Sequence, residues 1–341
     1  MIQVGVVGMG FMGVTHIKAY RQVNGVRLAA ICDSVRLPLD GDFSKISGNL
    51  GGGETLRLDM TQIKAYRDFN EMLQNPDIQL VDICTPTSSH APLATAALKA
   101  GKHVICEKPL ARNSGIAHDI VQAASQAQTY LLPAMCIRFW PEWAYAKKLI
   151  DDSVFGKVLA ARFRRVSEPP AWGRESYFQG QQSGGAFLDL HIHDTDFVQF
   201  CFGRPLSVCS HGCSRFSGAM DHVVTQYRVK SGAVVYAEGS WLMSSGHGFN
   251  MAYTVAFEKA TLDYDLSRGA EALRLFEEGK PPQTIKCPGA DGYVGELQHM
   301  VDSVLGGKPP SIVTPADGLS AVEICEAEEK SILTKQEVPL G

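Results

Sequence analysis

Near its start the chain reads Gln3-Val4-Gly5-Val6-Val7-Gly8-Met9-Gly10-Phe11-Met12-Gly13. The first half is a short apolar run, which reads as a buried strand. The second half is Gly-x-Gly-x-x-Gly, at Gly8, Gly10 and Gly13. Met12, His16, Ile17 and Tyr20 then recur as on one face of a helix. A strand, a glycine turn and a helix in that order build a phosphate cradle: Gly8 permits the tight turn, Gly10 lets backbone approach a pyrophosphate, and Gly13 lets the helix close on the strand. Phe11 and Met12 open the helix whose N-terminus faces the anion. A second apolar run, 26–32, ends in Asp33, about 20 residues beyond the third glycine, where a carboxylate grips the ribose hydroxyls of a dinucleotide, with Ser34 beside it. A glycine turn in an unrelated α/β protein explains the glycines but not the strand, the spacing and the acid together.

A chain of 341 residues is long enough for two domains, each with its own core. With a net charge of −4 and no basic block, nucleic acid is not an expected partner. The first residues are already a strand, without the basic start of a signal peptide, and no apolar run is long enough to span a bilayer. The nine cysteines are scattered. Cys209 and Cys213 lack a second pair of ligands, so free thiols in a reducing cytoplasm are expected.

After Asp33 the glycine-rich stretch 41–53 reads as a surface loop, because no strand leads into it. The buried run 80–84 feeds Thr85-Pro86-Thr87-Ser88-Ser89-His90. In a doubly wound sheet, ligands sit beyond the carboxyl ends of strands. Thr85, Pro86, Thr87 and His90 are therefore expected beside the cofactor. The run 103–106 ends in Glu107-Lys108-Pro109. Pro109 biases Lys108 towards an extended backbone, which holds the lysine at the lip of the sheet. A helix over 114–126 and a strand over 129–134 follow, so the first domain should span 1–135 and the second 136–341. Alternating runs over 158–166 and between 208 and 264 predict a large, mostly antiparallel sheet. Two helices, 292–305 and 315–333, close the chain, the second opened by Thr314 and Pro315.

The stretch 184–203 reads as one helix ended by Gly203. Apolar side chains lie nearly all round it, so it should be buried. Yet Asp189, His193 and Asp196 share one stripe. Buried ionisable groups are paired or face a cavity that uses them. A structural carboxylate–imidazole pair and a catalytic pair both fit. His191 and His193 point about 200° apart on a helix, which argues against a metal site.

Three motifs resemble one family: the glycine loop; Ala100-Gly101-Lys102-His103-Val104-Ile105-Cys106-Glu107-Lys108-Pro109; and Gly184-Gly185-x-x-x-Asp189-x-x-x-His193-x-x-Asp196. The chain resembles, along essentially its whole length, the oxidoreductases named after glucose–fructose oxidoreductase, inositol dehydrogenase and a rhizopine catabolism enzyme, the Gfo/Idh/MocA family. The resemblance implies a Rossmann domain that binds NAD or NADP, followed by an α+β domain with an open sheet. It also implies oxidation of a sugar or polyol alcohol, or the reverse, and pairing through the sheet into dimers or tetramers. Lys108 matches the lysine of the Glu-Lys-Pro motif, and Asp189 and His193 match the acid–base pair. The stretch 41–53 departs from the family, replacing a helix usual after the second strand. Arg138 and Trp172 stand where substrate contacts are expected.

The expected protein is thus a cytoplasmic NAD-dependent dehydrogenase of a sugar, inositol or related polyol, with NADP the lesser cofactor because of Asp33. The alternatives are an NAD-dependent glycosidase with a redox cycle, and a non-catalytic NAD-binding sensor.

Overall fold

The computed structural model describes residues 1–44, 46, 56–170 and 177–341. Trp172 and most of the stretch 41–53 lie outside the described residues. At the base of that stretch Asp42 bridges Arg57, and Phe43 and Leu56 are buried.

The chain divides into two compact units. The first comprises Met1–Cys136 with Asp291–Leu319, and the second Ile137–Ala290 with Ser320–Gly341. In the first unit the strands are β1 (Ile2–Val7), β2 (Val26–Cys32), β3 (Lys64–Tyr66), β4 (Leu80–Ile83), β5 (His103–Glu107) and β6 (Leu131–Ala134). Among the described residues they form one parallel sheet in the order β3-β2-β1-β4-β5-β6. The connections are α1 (Phe11–Tyr20), α2 (Phe69–Leu73), α3 (His90–Lys99) and α4 (Ser114–Gln126). Strand order reverses between β1 and β4, which makes this the switch point at which doubly wound sheets bind ligands. Helix starts follow local chemistry: the Asp68 and Asn113 side chains accept the Asn70 and Ile116 N–H groups.

In the second unit, α5 (Pro141–Asp151) leads to β7 (Val158–Val166), a short α6 (Gly180–Ser183), a π-helical turn Phe187–His191 and α7 (Ile192–Phe202). The strands β8 (Ser207–Cys213), β9 (His222–Arg228), β10 (Val234–Ser240), β11 (Asn250–Phe257), β12 (Ala260–Asp265), β13 (Leu273–Glu277), β14 (Gln283–Thr284) and β15 (Val338–Pro339) join β7. The sheet order is β14-β13-β12-β11-β7-β10-β9-β8-β15, antiparallel except for the β7–β10 pair. One face carries the π turn and α7. There Trp143 is fully buried, its ring 4.8 Å from Phe197 and 5.0 Å from Tyr253. On the other face the strands alternate: Val235 and Ala237 are buried, while Val234 and Tyr236 are exposed.

Two expectations change. The second domain was expected to hold all of 136–341, but 291–319 belongs to the first unit. Helix α8 (Gly292–Gly306) packs on α1, burying Val294, Leu297, Met300 and Val301. The helix expected over 184–203 runs from 185 to 202 and ends at Gly203, but is irregular at its start. Gly184 and Gly185 have φ of +80° and +67°, outside helical backbone, and a π turn precedes α7. The last helix, α9 (Pro315–Thr334), begins as expected: Thr314 Oγ1 accepts the Asp317 N–H, and Asp317 accepts the Thr314 N–H at 2.8 Å.

Candidate functional site

The glycine loop has the sterics the sequence demands. Gly8 has φ +93°, and a Cβ there would stand 2.6 Å from the Cys84 carbonyl oxygen. A Cβ on Gly13 would stand 1.9 Å from the Gly8 oxygen. A Cβ on Gly10 would meet nothing within 4 Å among the described residues. Gly10 caps α1 without a side-chain hydrogen bond. The loop is therefore tight where chain meets chain and open where a pyrophosphate must come close, so it fits a dinucleotide. Phe11 and Met12, half-buried, open the helix.

Asp33 is fixed over this loop. Its Oδ2 accepts the Met9 N–H at 2.7 Å, and its Oδ1 accepts the Val35 and Arg36 N–H groups at 2.8 and 2.7 Å. The carboxylate cannot swing aside without losing these donors. Ser34 and Arg36 beside it are exposed. At the end of β4, Thr85 and Thr87 are half-buried and Pro86 is exposed. Thr85 Oγ1 is enclosed without a hydrogen-bond partner among the described residues.

His90 and Glu107, expected at the cofactor, are turned inward. His90 is 1% exposed. Its Nδ1 lies 2.9 Å from the Pro109 carbonyl and its Nε2 2.9 Å from the Thr85 carbonyl. Burial lowers its pKa. It ties the two loops at the ends of β4 and β5 together. Glu107 is buried, with Oε1 3.1 Å from His16 Nε2 and Oε2 accepting the Lys108 N–H at 3.0 Å. Burial alone would raise the Glu107 carboxyl. The imidazole beside it reverses that, and its pKa lies below the ordinary value. Lys108 is half-buried, and its peptide bond to Pro109 is cis.

In the second unit, Asp189 sits half-buried in the π turn and His193 lies one turn on in α7, 9% exposed. Asp196, the third member of the stripe, is an ion-pair partner: Arg138 Nε and Nη2 donate to its two oxygens at 2.8 and 2.7 Å. Gln199 adds a third bond at 2.9 Å. The Arg138 guanidinium, expected at the substrate, is thus buried against this carboxylate and stacked over Phe200. His191 packs on Gly239 of β10, with Nε2 3.2 Å from both Glu328 and Tyr227. That placement agrees with the expected divergence of His191 from His193. Arg165 pairs with Asp194 through two bonds of 3.1 and 3.3 Å.

Sequence pattern did not single out Asp82, Glu296, Asp194 or Glu328. For Asp82 a signal existed: a lone carboxylate inside the fully buried strand β4. His16 Nδ1 donates to Asp82 at 2.9 Å, and Cys84 Sγ lies 3.4 Å from the same nitrogen. These three groups could approach a cation. Their hydrogen bonds to one another already account for the cluster, and three donors fall short of a closed tetrahedral set.

Residues 2–134 match a family model described as an oxidoreductase family with an NAD-binding Rossmann fold. Residues 143–263 match the model of the Gfo/Idh/MocA C-terminal domain. The myo-inositol 2-dehydrogenase of Thermotoga maritima is 28% identical over 99% of this chain and 98% of its own. The scyllo-inositol 2-dehydrogenase (NAD(+)) of Bacillus subtilis is 27% identical over 99% and 96%. A solved levoglucosan dehydrogenase, in complex with NADH and levoglucosan, has a TM-score of 0.84 at 22% identity, covering 100% of this chain and 99% of its own, which is a likeness of fold. Models of one family account for both units, and the cradle in the first is built for the dinucleotide they describe: the chain belongs to the Gfo/Idh/MocA oxidoreductases and uses NAD.

Proposed function

We propose that this NAD-dependent oxidoreductase oxidises a secondary alcohol of an inositol, sugar or related polyol, or runs the reverse reduction. The single observation that carries the reading is Lys108, whose backbone is fixed at the carboxyl end of β5 in a unit whose open glycine cradle fits a dinucleotide. Inositol dehydrogenases aligned along almost the full chain support the substrate class. Gly8 to Gly13 hold the pyrophosphate and Asp33 the adenosine ribose. When bound, the nicotinamide supplies the hydride acceptor. His193 takes the hydroxyl proton, because an imidazole titrates near neutrality. Asp189, one helical turn before it, orients the ring. Lys108 donates a hydrogen bond to the substrate oxygen as negative charge develops there.

The proposed organisation is two domains, a dinucleotide domain completed by 291–319 and a substrate domain. Copies would pair through the exposed face of the large sheet into dimers or tetramers, where Val234 and Tyr236 leave apolar surface uncovered. Among the described residues no helix is long and apolar enough to cross a membrane. All nine cysteines are free, which supports a reducing, cytoplasmic setting.

A panel of inositols, sugars and polyols with NAD, read as NADH absorbance, tests the reading beside a chromogenic glycoside panel. Glycoside cleavage without net NADH would make the chain a glycosidase. NAD binding without turnover would make it a sensor. For the roles, His193→Ala should lower kcat by about 10²–10⁴ with the fold intact. His191→Ala should lower stability first, since it takes one partner from the buried Glu328 and leaves it Thr195. Equal catalytic losses in both folded variants would mean that the helix phase separating His191 from His193 is misread.

A further inference from the structure

Beneath Lys108 lies a cluster of fully buried ionisable groups drawn from four elements. His16 of α1 is 0% exposed. It is faced by Asp82 and Cys84 at β4, by Glu107 of β5, by Glu296 of α8 at 3.6 Å, and by the Tyr293 ring 6.1 Å away. The contacts run in series. Asp82 Oδ2 holds Nδ1 at 2.9 Å; Nε2 lies 3.1 Å from Glu107 Oε1, an ion-pair contact without hydrogen-bond geometry; and Glu107 Oε2 takes the Lys108 N–H at 3.0 Å. One imidazole therefore stands between two carboxylates, and the second carboxylate grips the main chain of the lysine.

We propose that His16 and Glu107 are positioning residues for Lys108: the imidazole, held by Asp82, fixes the Glu107 carboxylate, which fixes the backbone that aims the lysine. The proposal rests on the reading that Lys108 meets the substrate oxygen. A lysine side chain has four soft torsions, so its ammonium is only as well placed as its main chain. An error near 1 Å at a reacting group costs about 10²-fold in rate. His90 holds the next residue from the other side through the Pro109 carbonyl.

The charges agree with this role. Burial works against an imidazolium at His16, but Asp82 and Cys84 outweigh it and its pKa is raised well above the ordinary value. Both Glu296 oxygens lack a hydrogen-bond partner among the described residues, and burial raises its carboxyl well above the ordinary range. Glu296 fills the remaining side of the imidazole.

The test uses the full-length protein and four variants: Glu107→Gln, His16→Gln, their double, and Lys108→Ala. Glu107→Gln and His16→Gln should each lower kcat about tenfold or more, with NADH affinity by fluorescence titration within about twofold. The double variant should be no slower than the slower single, because the two act as one unit. Lys108→Ala separates the two readings. If it turns over like the wild type, the lysine's role fails. If it is inactive while Glu107→Gln keeps wild-type kcat, the positioning inference is overturned. Loss of NADH affinity in step with kcat would also overturn it, since it would show a general collapse of the cradle. Hydrogen exchange at the Lys108 amide needs neither turnover nor a folded variant. In the wild type that amide should be protected at least about tenfold relative to an open loop. An unprotected amide overturns the proposal.

Discussion

Both units bury charge, and they neutralise it differently. In the second unit the partners of Asp196 and Asp194 are arginines, and His191 lies 3.2 Å from the buried Glu328. Arg138 and Arg165, each almost fully buried, present two donors to Asp196 and Asp194. A guanidinium stays protonated throughout the working range, and its fork matches a carboxylate. In the first unit the cation is His16, set among Asp82, Glu107 and Glu296. An imidazolium can lose its proton, and burial raises the third carboxyl, Glu296, well above the ordinary range. The two arginine pairs of the second unit are thus a fixed scaffold around α7. The charge state of the first unit responds to protons directly beneath the residue we assign to the chemistry.

The largest effect should come from breaking the fixed side. Arg165→Met leaves Asp194 buried without its partner, and should cost about 3–5 kcal/mol in urea unfolding. Replacing both, as Arg165→Met with Asp194→Leu, should restore most of that. A single-variant loss below about 1 kcal/mol would mean that the pair is not what holds α7.

The next effect separates fold from chemistry in the first unit. Lys108→Ala should lower single-turnover rates by about 10²–10³, the range for removing one donor to a developing oxyanion. NAD titration should change little, because the pyrophosphate is held by backbone at Gly8 to Gly13. Weakened NAD binding with normal turnover would reverse the assignment.

A smaller effect tests the titratable cation directly. A group whose pKa is raised in the fold gives stability that is complete below its unfolded pKa and lost as pH rises through the folded one. His16 is such a group, so its contribution should fade as pH climbs above about 6.5, with a slope of at most about 1.4 kcal/mol for each tenfold fall in proton concentration. Glu296 has the same sign from about pH 4.5 upward. His90, His103 and His299 have lowered pKa values and act oppositely, losing stability as pH falls below about 6.5. The difference between wild type and His16→Leu isolates the His16 contribution. The advantage of the wild type should shrink between pH 6.5 and alkaline pH, and a flat difference would refute the imidazolium.

The smallest expected effect concerns the cofactor. Asp33 should favour NAD over NADP by about tenfold in kcat/KM, near 1.4 kcal/mol, through repulsion of the 2′-phosphate. Asp33→Ala should relax that preference. The three N–H donors that pin the carboxylate leave Arg36 little scope to take over. An unchanged ratio in the variant would assign the choice to Arg36.

What could be read in advance follows from the range of the interaction. Gly8 and Gly13 were legible because their constraint is local sterics, and Thr314 because a cap reaches three residues. Sequence period put His16 on the buried face of α1 but not its partners, since Asp82 lies 66 positions away. A buried stripe on α8 shows that something covers it, not which unit does. A uniform 100° per residue does not reveal the π turn, which shifts the helical phase within Phe187–His191. An arginine beside aromatic residues reads equally as a ligand contact or a buried counter-ion, and Arg138 is paired with Asp196.

The return of 291–319 to the first unit has a consequence for how the protein is made. A ribosome adds about 5–20 residues per second. The dinucleotide domain therefore waits roughly 10–30 s after its sheet has emerged before α8 arrives to cover α1. During that interval the side of α1 that α8 will cover faces water, or a chaperone, while the strands β7 to β14 are being synthesised. A nascent chain stalled just after Cys136 should be readily cleaved by protease near α1, and one stalled well beyond Leu319 should resist. A segment made late would then set when the domain made first can hold its cofactor.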